Sequence, residues 1–253
     1  MKEVTFIGAA TQWPWQDEVM SIPVIDLMTA LRSGQSTSPR LTWYGPDSER
    51  VELSGRVLDN WVAKTSNLLQ DELDAEPGTR LRLDLPAHWK SVILAVAAWQ
   101  LGVEVVFDDA EAELLATTDP ARGAAEGGFD AVVAVALPAL AMRWTGGLPS
   151  GAMDYAAEVR SHGDVFMAHV EPEASRRAVL TSAGTAHTHG GLLEGFAASV
   201  GSGTRLLVRA DAGLEEVLAQ SLGAWQGDGS VVLVHPDVAV TAKLLSDERV
   251  QGR

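Results

Sequence analysis

From Ile22 onward the chain alternates short apolar runs with amphipathic stretches. In IPVIDLMTALRSG, Val24, Leu27, Met28 and Leu31 share one face at helical spacing, and Gly34 ends the segment. RLTWYG and RVELSG flank Pro46-Asp47-Ser48, the pattern of a β-hairpin. Ser54 is placed to cap a long helix through Leu73, with Val57, Leu58, Trp61, Leu68 and Leu69 turned inward. Pro77-Gly78 then turns the chain into the strand RLRLDL.

Strands and helices alternate after that point. HWKSVILAVAAWQLG predicts a helix ended by Gly102, and VEVVF, AELLAT and DAVVAVAL predict strands. MDYAAEVRSHG predicts a helix, DVFMAHV and AVLTS predict strands, and GLLEGFAASV predicts another helix. TRLLVR and SVVLV read as strands on either side of the helical GLEEVLAQSLGAW, with a last helix from Asp237. Apolar strands between amphipathic helices imply buried sheet. The expected fold class is α/β, with mostly parallel sheets flanked by helices.

Residues 1–20 have no sustained period and read as a tail. Residues 21–253 read as a single domain. The Gly146-Gly147 pair followed by PSGAMDY marks a boundary by turn composition, giving lobes 21–149 and 150–253.

Composition narrows the partners. Thirty-four acidic residues against nineteen basic ones give a formal charge of −15. The densest basic clusters are only Arg80/Arg82 and Arg176/Arg177, so neither nucleic acid nor a membrane surface is an expected partner. The absence of cysteine excludes disulfides, thiolate-bound metals and a thiol nucleophile. No apolar run approaches the ~20 residues of a bilayer span, and Lys2-Glu3 precede no signal-like hydrophobic region. The expected location is cytoplasmic.

The stretch LTSAGTAHTHGGLL (Leu180–Leu193) holds the main candidate chemistry. Small residues and hydroxyls after an apolar run are what a phosphate-binding loop uses, because its backbone N–H groups must approach the anion. Such loops also supply a lysine, and here the nearest downstream is Lys243. Losing one charged hydrogen bond of about 1.5–3 kcal/mol weakens phosphate binding roughly tenfold to more than a hundredfold. A connection built from small residues between a strand and a helix is the plainer reading. At the helix start near Gly190, a small monoanion suits the remaining dipole better than a triphosphate.

His187 and His189 would share one face of an extended segment and, with Glu194, could form a zinc or iron site. H-x-H is common by chance, and no metal is assigned. G-x-S-x-G, G-x-G-x-x-G after a strand and GxxxxGK[ST] are all absent. Asp108/Asp109 end a predicted strand, where α/β ligand crevices lie. Glu215/Glu216 read as a solvated helix face.

The progression LTWYG…RVELSG…NWVAKTSNLLQDEL…PGTRLRLDLPAHWKSVILAVAAWQLGVEVVF resembles the N-terminal part of the adenylate-forming, AMP-binding superfamily, which includes the acyl-CoA synthetases. The likeness runs from about Pro39 to the C-terminus and extends to short, uncharacterised actinobacterial relatives. It implies a truncated N-terminal domain of an acyl-CoA synthetase. It also implies that Thr181, Ser182, Gly184 and Thr185 match the front of an ATP phosphate loop of the form TSGTTGxPKG, and Thr188-His189 the TH behind it. The middle of that loop, with its lysine, is missing, as are the family's downstream adenine, ribose and catalytic-lysine motifs. Adenylation or CoA-ligase activity is therefore not expected, and no catalytic residue or cofactor is assigned. The expectation is a degenerate homologue that binds a small ligand or protein partner, with self-association left open. The alternatives are an enzyme of another class reusing the cleft, such as a metal-dependent hydrolase at His187/His189, or a subunit completed in trans.

Overall fold

The computed structural model describes residues 22–252; the tail assigned to residues 1–20 lies outside them. Helix α1 (Pro23–Ser33) buries the four residues of its apolar face, Val24, Leu27, Met28 and Leu31. Strands β1 (Pro39–Tyr44) and β2 (Arg50–Ser54) form the antiparallel hairpin. The Ser54 hydroxyl accepts a hydrogen bond from the Val57 N–H at the start of α2 (Gly55–Leu73). Helix α2 buries Leu58, Val62, Leu68 and Leu69. Val57 is exposed and Trp61 only half-buried. The inward stripe runs through Val62 because Leu58, Val62 and Thr65 repeat at helical spacing toward the core.

Next come β3 (Arg80–Asp84), α3 (Trp89–Leu101), β4 (Glu104–Val106), β5 (Leu114–Thr117), α4 (Pro120–Glu126), β6 (Ala131–Ala134), β7 (Ala152–Asp154) and α5 (Tyr155–Glu158). They are followed by β8 (Arg177–Leu180), β9 (Ala186–Thr188), α6 (Leu192–Gly195), β10 (Arg205–Arg209), α7 (Leu214–Gln226), β11 (Ser230–Val234) and α8 (Ala242–Asp247). The strands make a four-stranded sheet, ordered β10-β11-β1-β2, and a seven-stranded one, ordered β7-β6-β5-β3-β4-β8-β9. Only the β1–β2 and β8–β9 pairs are antiparallel. Each sheet takes strands from both sides of residue 150.

Helix α3 touches β1 of one sheet and β3 and β4 of the other. A helix packed on several sides must be apolar all round, and α3 is buried along nearly its whole length. Gly102, at φ +81°, ends it in the left-handed conformation that glycine adopts without strain.

Four predicted elements differ from those observed. The last helix, predicted from Asp237, begins only at Ala242, where the Thr241 hydroxyl caps it by accepting from the Leu244 N–H. DVFMAHV forms no strand; its backbone is strapped to α2 by side chains instead. The Asn67 amide donates to the Gly163 and Val165 carbonyls, while Gln70 donates to the Met167 carbonyl and accepts from the His169 N–H. These bonds replace a sheet ladder. MDYAAEVRSHG divides: Met153 and Asp154 pair with β6, and Asp154 then caps the short α5. GLLEGFAASV yields only the one-turn α6, since Gly195 packs directly against the His187 ring and glycine is a poor helix former. No helix among the described residues is long and apolar enough to cross a membrane.

Candidate functional site

Parallel strands bring their carboxyl ends to one edge, where α/β proteins bind ligands. Here a crevice of about 470 Å³ opens at that edge of the seven-stranded sheet. Leu83 to Pro86 line it at the end of β3, Phe107 and Asp108 follow β4, and Thr118 follows β5. Ser182, after β8, faces Gly213, Leu214 and Glu215 at the start of α7.

The loop after β8 is a closed turn. The Thr181 N–H donates to the Thr185 carbonyl (2.9 Å), and the Gly184 N–H donates to the Thr181 carbonyl (2.8 Å). The Thr185 N–H donates to the Thr181 hydroxyl (3.0 Å). Gly184 supports this tight return with φ +81°. The Ser182 N–H is taken from outside the loop: it donates to the Glu215 carboxylate at 2.8 Å. A side chain from the start of α7 thus takes up this N–H of the turn.

The crevice is acidic. Burial pushes the Asp84 carboxyl up, but the Thr117 hydroxyl and the Arg122 guanidinium outweigh that and hold it below the usual carboxylate value. Asp84 is therefore ionised at neutral pH, and Arg122 is already paired with it. Asp108 and Glu215 add two further carboxylates to the lining. A triphosphate entering here meets like charge.

Thr188 and His189 do not join Thr181, Ser182, Gly184 and Thr185 at this edge. The turn reverses the chain into β9, which carries Thr188 back to a position opposite Arg177 at the other end of β8. The Thr188 hydroxyl accepts from the Gly191 N–H, and the His189 N–H donates to the Arg176 carbonyl. The His189 ring is fully buried, with neither nitrogen in hydrogen-bond geometry. Burial lowers its pKa to about 4, and the nearby Gly102 backbone only partly opposes this.

His187 is half-buried against Gly195 and Phe196. Among the described residues no group of three His, Asp or Glu side chains is placed to hold a metal. The anion position expected near Gly190 is filled from within, because the Gly190 N–H donates to the Ala174 carbonyl and the Gly191 N–H to the Thr188 carbonyl.

Glu215 is the residue that the sequence pattern hides. It stands beside Glu216, which does face solvent and bonds Gln220 within its helix. Only the position of Glu215 directly after Gly213-Leu214, at the entry to α7, marks it out.

A "TIGR03089 family protein" of Mycobacterium tuberculosis is 35% identical over 227 residues, covering 84% of this chain and 89% of that protein. The chain belongs to the TIGR03089 family. No family model matches it. The fold of this family member is that of the N-terminal domain of acyl-CoA synthetases. An acyl-CoA synthetase of Brucella canis superposes with TM-score 0.69 at 16% identity, over 94% of this chain and 52% of that one. The N-terminal domain of FACL13 from Mycobacterium tuberculosis gives 0.67 at 16% identity, over 90% and 62%. The anthranilate CoA ligase AuaEII, in complex with anthranoyl-AMP, gives 0.65 at 15% identity, over 88% and 46%. The chain spans about half to three fifths of the length of these solved structures.

Proposed function

We propose that this TIGR03089 family member uses the acyl-CoA synthetase fold without adenylation chemistry, binding a small ligand in the crevice between the Thr181–Thr185 turn and the start of α7. The observation that carries the reading is the Glu215 carboxylate on the Ser182 N–H. Thr181, Gly184 and Thr185 spend their N–H groups inside the turn, so nucleotide phosphates would have to displace a carboxylate from an already acidic wall. No lysine lines the crevice to offset the cost. Leu83, Leu85, Phe107 and Leu214 supply apolar walls, and the Asp108 and Glu215 carboxylates, beside the Asp84–Arg122 pair, favour a neutral or cationic ligand over an anion.

The test is ATP–pyrophosphate exchange with magnesium across a panel of carboxylic acids, together with calorimetry of ATP–magnesium and AMP. The expected result is no exchange above background and no nucleotide binding at micromolar concentration. Exchange dependent on one acid, or micromolar ATP binding abolished by Thr181→Ala, overturns the proposal.

A further inference from the structure

A second cavity, of about 540 Å³, opens where the carboxyl ends of β1 and β11 approach the segment that follows β6. Trp43, Glu49, His88, Leu137, Leu140 and His235 line it, and none of them lines the first crevice. Its occupant is therefore a separate question from the proposed function.

The walls combine an apolar surface with polar groups that the fold leaves unused. Trp43 is 2% exposed, and its indole N–H has no acceptor. Gly45 packs close beside it: a Cβ at position 45 would lie 2.6 Å from the indole nitrogen. The Oε1 of Glu49 is buried without a donor. Satisfying such groups is strongly favoured, because buried polar atoms nearly always find a partner.

Two histidines flank the indole edge-on, His88 at 4.6 Å and His235 at 5.9 Å between ring centroids. His88 Nδ1 accepts from the Lys90 N–H and His235 Nδ1 from the Asp237 N–H, so a neutral His88 ring carries its proton on Nε2. Burial, aided by Lys90 and His235, lowers the His88 pKa to about 3, so this ring is a neutral donor at physiological pH.

The apolar wall is held in place. The buried Lys90 ammonium donates to the Ala136 carbonyl (2.5 Å) and the Pro138 carbonyl (2.9 Å) on either side of Leu137. Leu140, 91% exposed, stands on the same segment at the lining of the cavity. A site with these features matches donors on one side to an acceptor on the other. An anion would meet Glu49 and Asp47, and a cation would meet the charge of the Lys90 ammonium, which also acts on the His88 ring, so an uncharged polar end fits best.

We propose that this cavity binds a small, uncharged, largely apolar molecule whose polar end both accepts and donates, a primary carboxamide or alcohol. Trp43 and His88 donate to it, Glu49 accepts from it, and Leu137 and Leu140 cover its apolar part.

Benzamide and benzyl alcohol are suitable probes, with benzoate and benzylamine as charged counterparts of the same size. Binding is followed by the indole N–H resonances of the nitrogen-15-labelled full chain, the Trp43 signal being assigned by its loss in Trp43→Phe. Benzamide or benzyl alcohol is expected to shift that signal saturably, with benzoate and benzylamine about tenfold or more weaker. Glu49→Gln and Leu140→Asp, at a half-buried and an exposed position, keep the test independent of whether Trp43→Phe folds. Each is expected to weaken benzamide about tenfold, the equivalent of one net hydrogen bond or a comparable apolar contact. Glu215→Ala should leave benzamide binding unchanged, which separates this site from the first crevice. An unmoved Trp43 signal, equal binding of benzoate, or unchanged affinity in both Glu49→Gln and Leu140→Asp overturns the proposal.

Discussion

The indole N–H of Trp225 donates to the backbone carbonyl of Arg40 at 2.9 Å, tying α7 to β1 in the four-stranded sheet. Trp225 is buried, at 2% exposure. Trp225→Phe keeps most of the ring and removes the donor, leaving a buried carbonyl short of one partner. The expected cost is about 1–3 kcal/mol, which lowers the melting temperature by roughly 2–10 °C for a chain of this size. Differential scanning fluorimetry measures it, and an unchanged melting temperature would mean that the bond adds nothing to stability.

Gly223 lies within α7, where that helix passes the Ala198 carbonyl. A Cβ at 223 would sit 1.9 Å from that oxygen, so Gly223→Ala must push the helix off its support. The expected loss is at least about 1–3 kcal/mol. Gly147→Ala is the control: nothing lies within 4 Å of its Cβ position and its φ is ordinary. Its stability should stay within about 0.5 kcal/mol of the parent. Urea midpoints of the two variants decide whether close approach, rather than helix propensity, governs position 223.

Acid should destabilise the fold well above the carboxylate range. Burial lowers His88 to about 3 and His189 to about 4, while an unfolded histidine titrates near about 6.5. As pH falls below about 6.5 the unfolded chain takes up protons that the folded one refuses, so stability is fully present above about 6.5 and is lost progressively down to about 4 for His189 and about 3 for His88. Between pH ~7.5 and ~5.5 the two histidines together remove about 3 kcal/mol. Burial raises the Asp59 and Glu104 carboxyls, and these two act in the opposite sense at lower pH. Urea titrations of the parent and of His189→Leu at both pH values test this; His189→Leu should lose about half of the dependence.

Removing one carboxylate from the crevice should be felt by a small anion. Glu215→Gln keeps an acceptor for the Ser182 N–H but drops a charge from the half-exposed lining. Inorganic phosphate should then bind a few times more tightly, as roughly 0.3–1 kcal/mol of screened repulsion disappears. Phosphorus NMR titration measures the change. No gain would mean that Glu215 acts there as an acceptor and not as a charge.

The α/β class was legible because several strands are short apolar runs set between helices, as β5, β6 and β11 show. The α1 face, the β1–β2 hairpin and the Ser54 cap were legible because each depends on neighbours within a few residues. The strapping of residues 163–169 to α2 was not, since Asn67 and Gln70 lie far away in sequence. For the candidate site, the turn at Thr181–Thr185 could be read from its small residues. The capture of Ser182 by Glu215, and the withdrawal of Thr188 and His189 along β9, depend on which strands come to lie side by side.

The place of β1 in its sheet has a consequence for how the protein is made. Its inner edge pairs in parallel with β11, Leu41 beside Val231 and Tyr44 beside Val234. During synthesis the β1–β2 hairpin emerges long before β11, the strand that covers its open edge. Through that interval Leu41 and Trp43 sit on a strand with one edge unpaired, a ready template for joining another chain. Such distant pairing also slows folding, because a long loop must close before the contact stabilises anything. The nascent chain thus passes through a long stage in which a strand destined for the interior keeps one adhesive edge open.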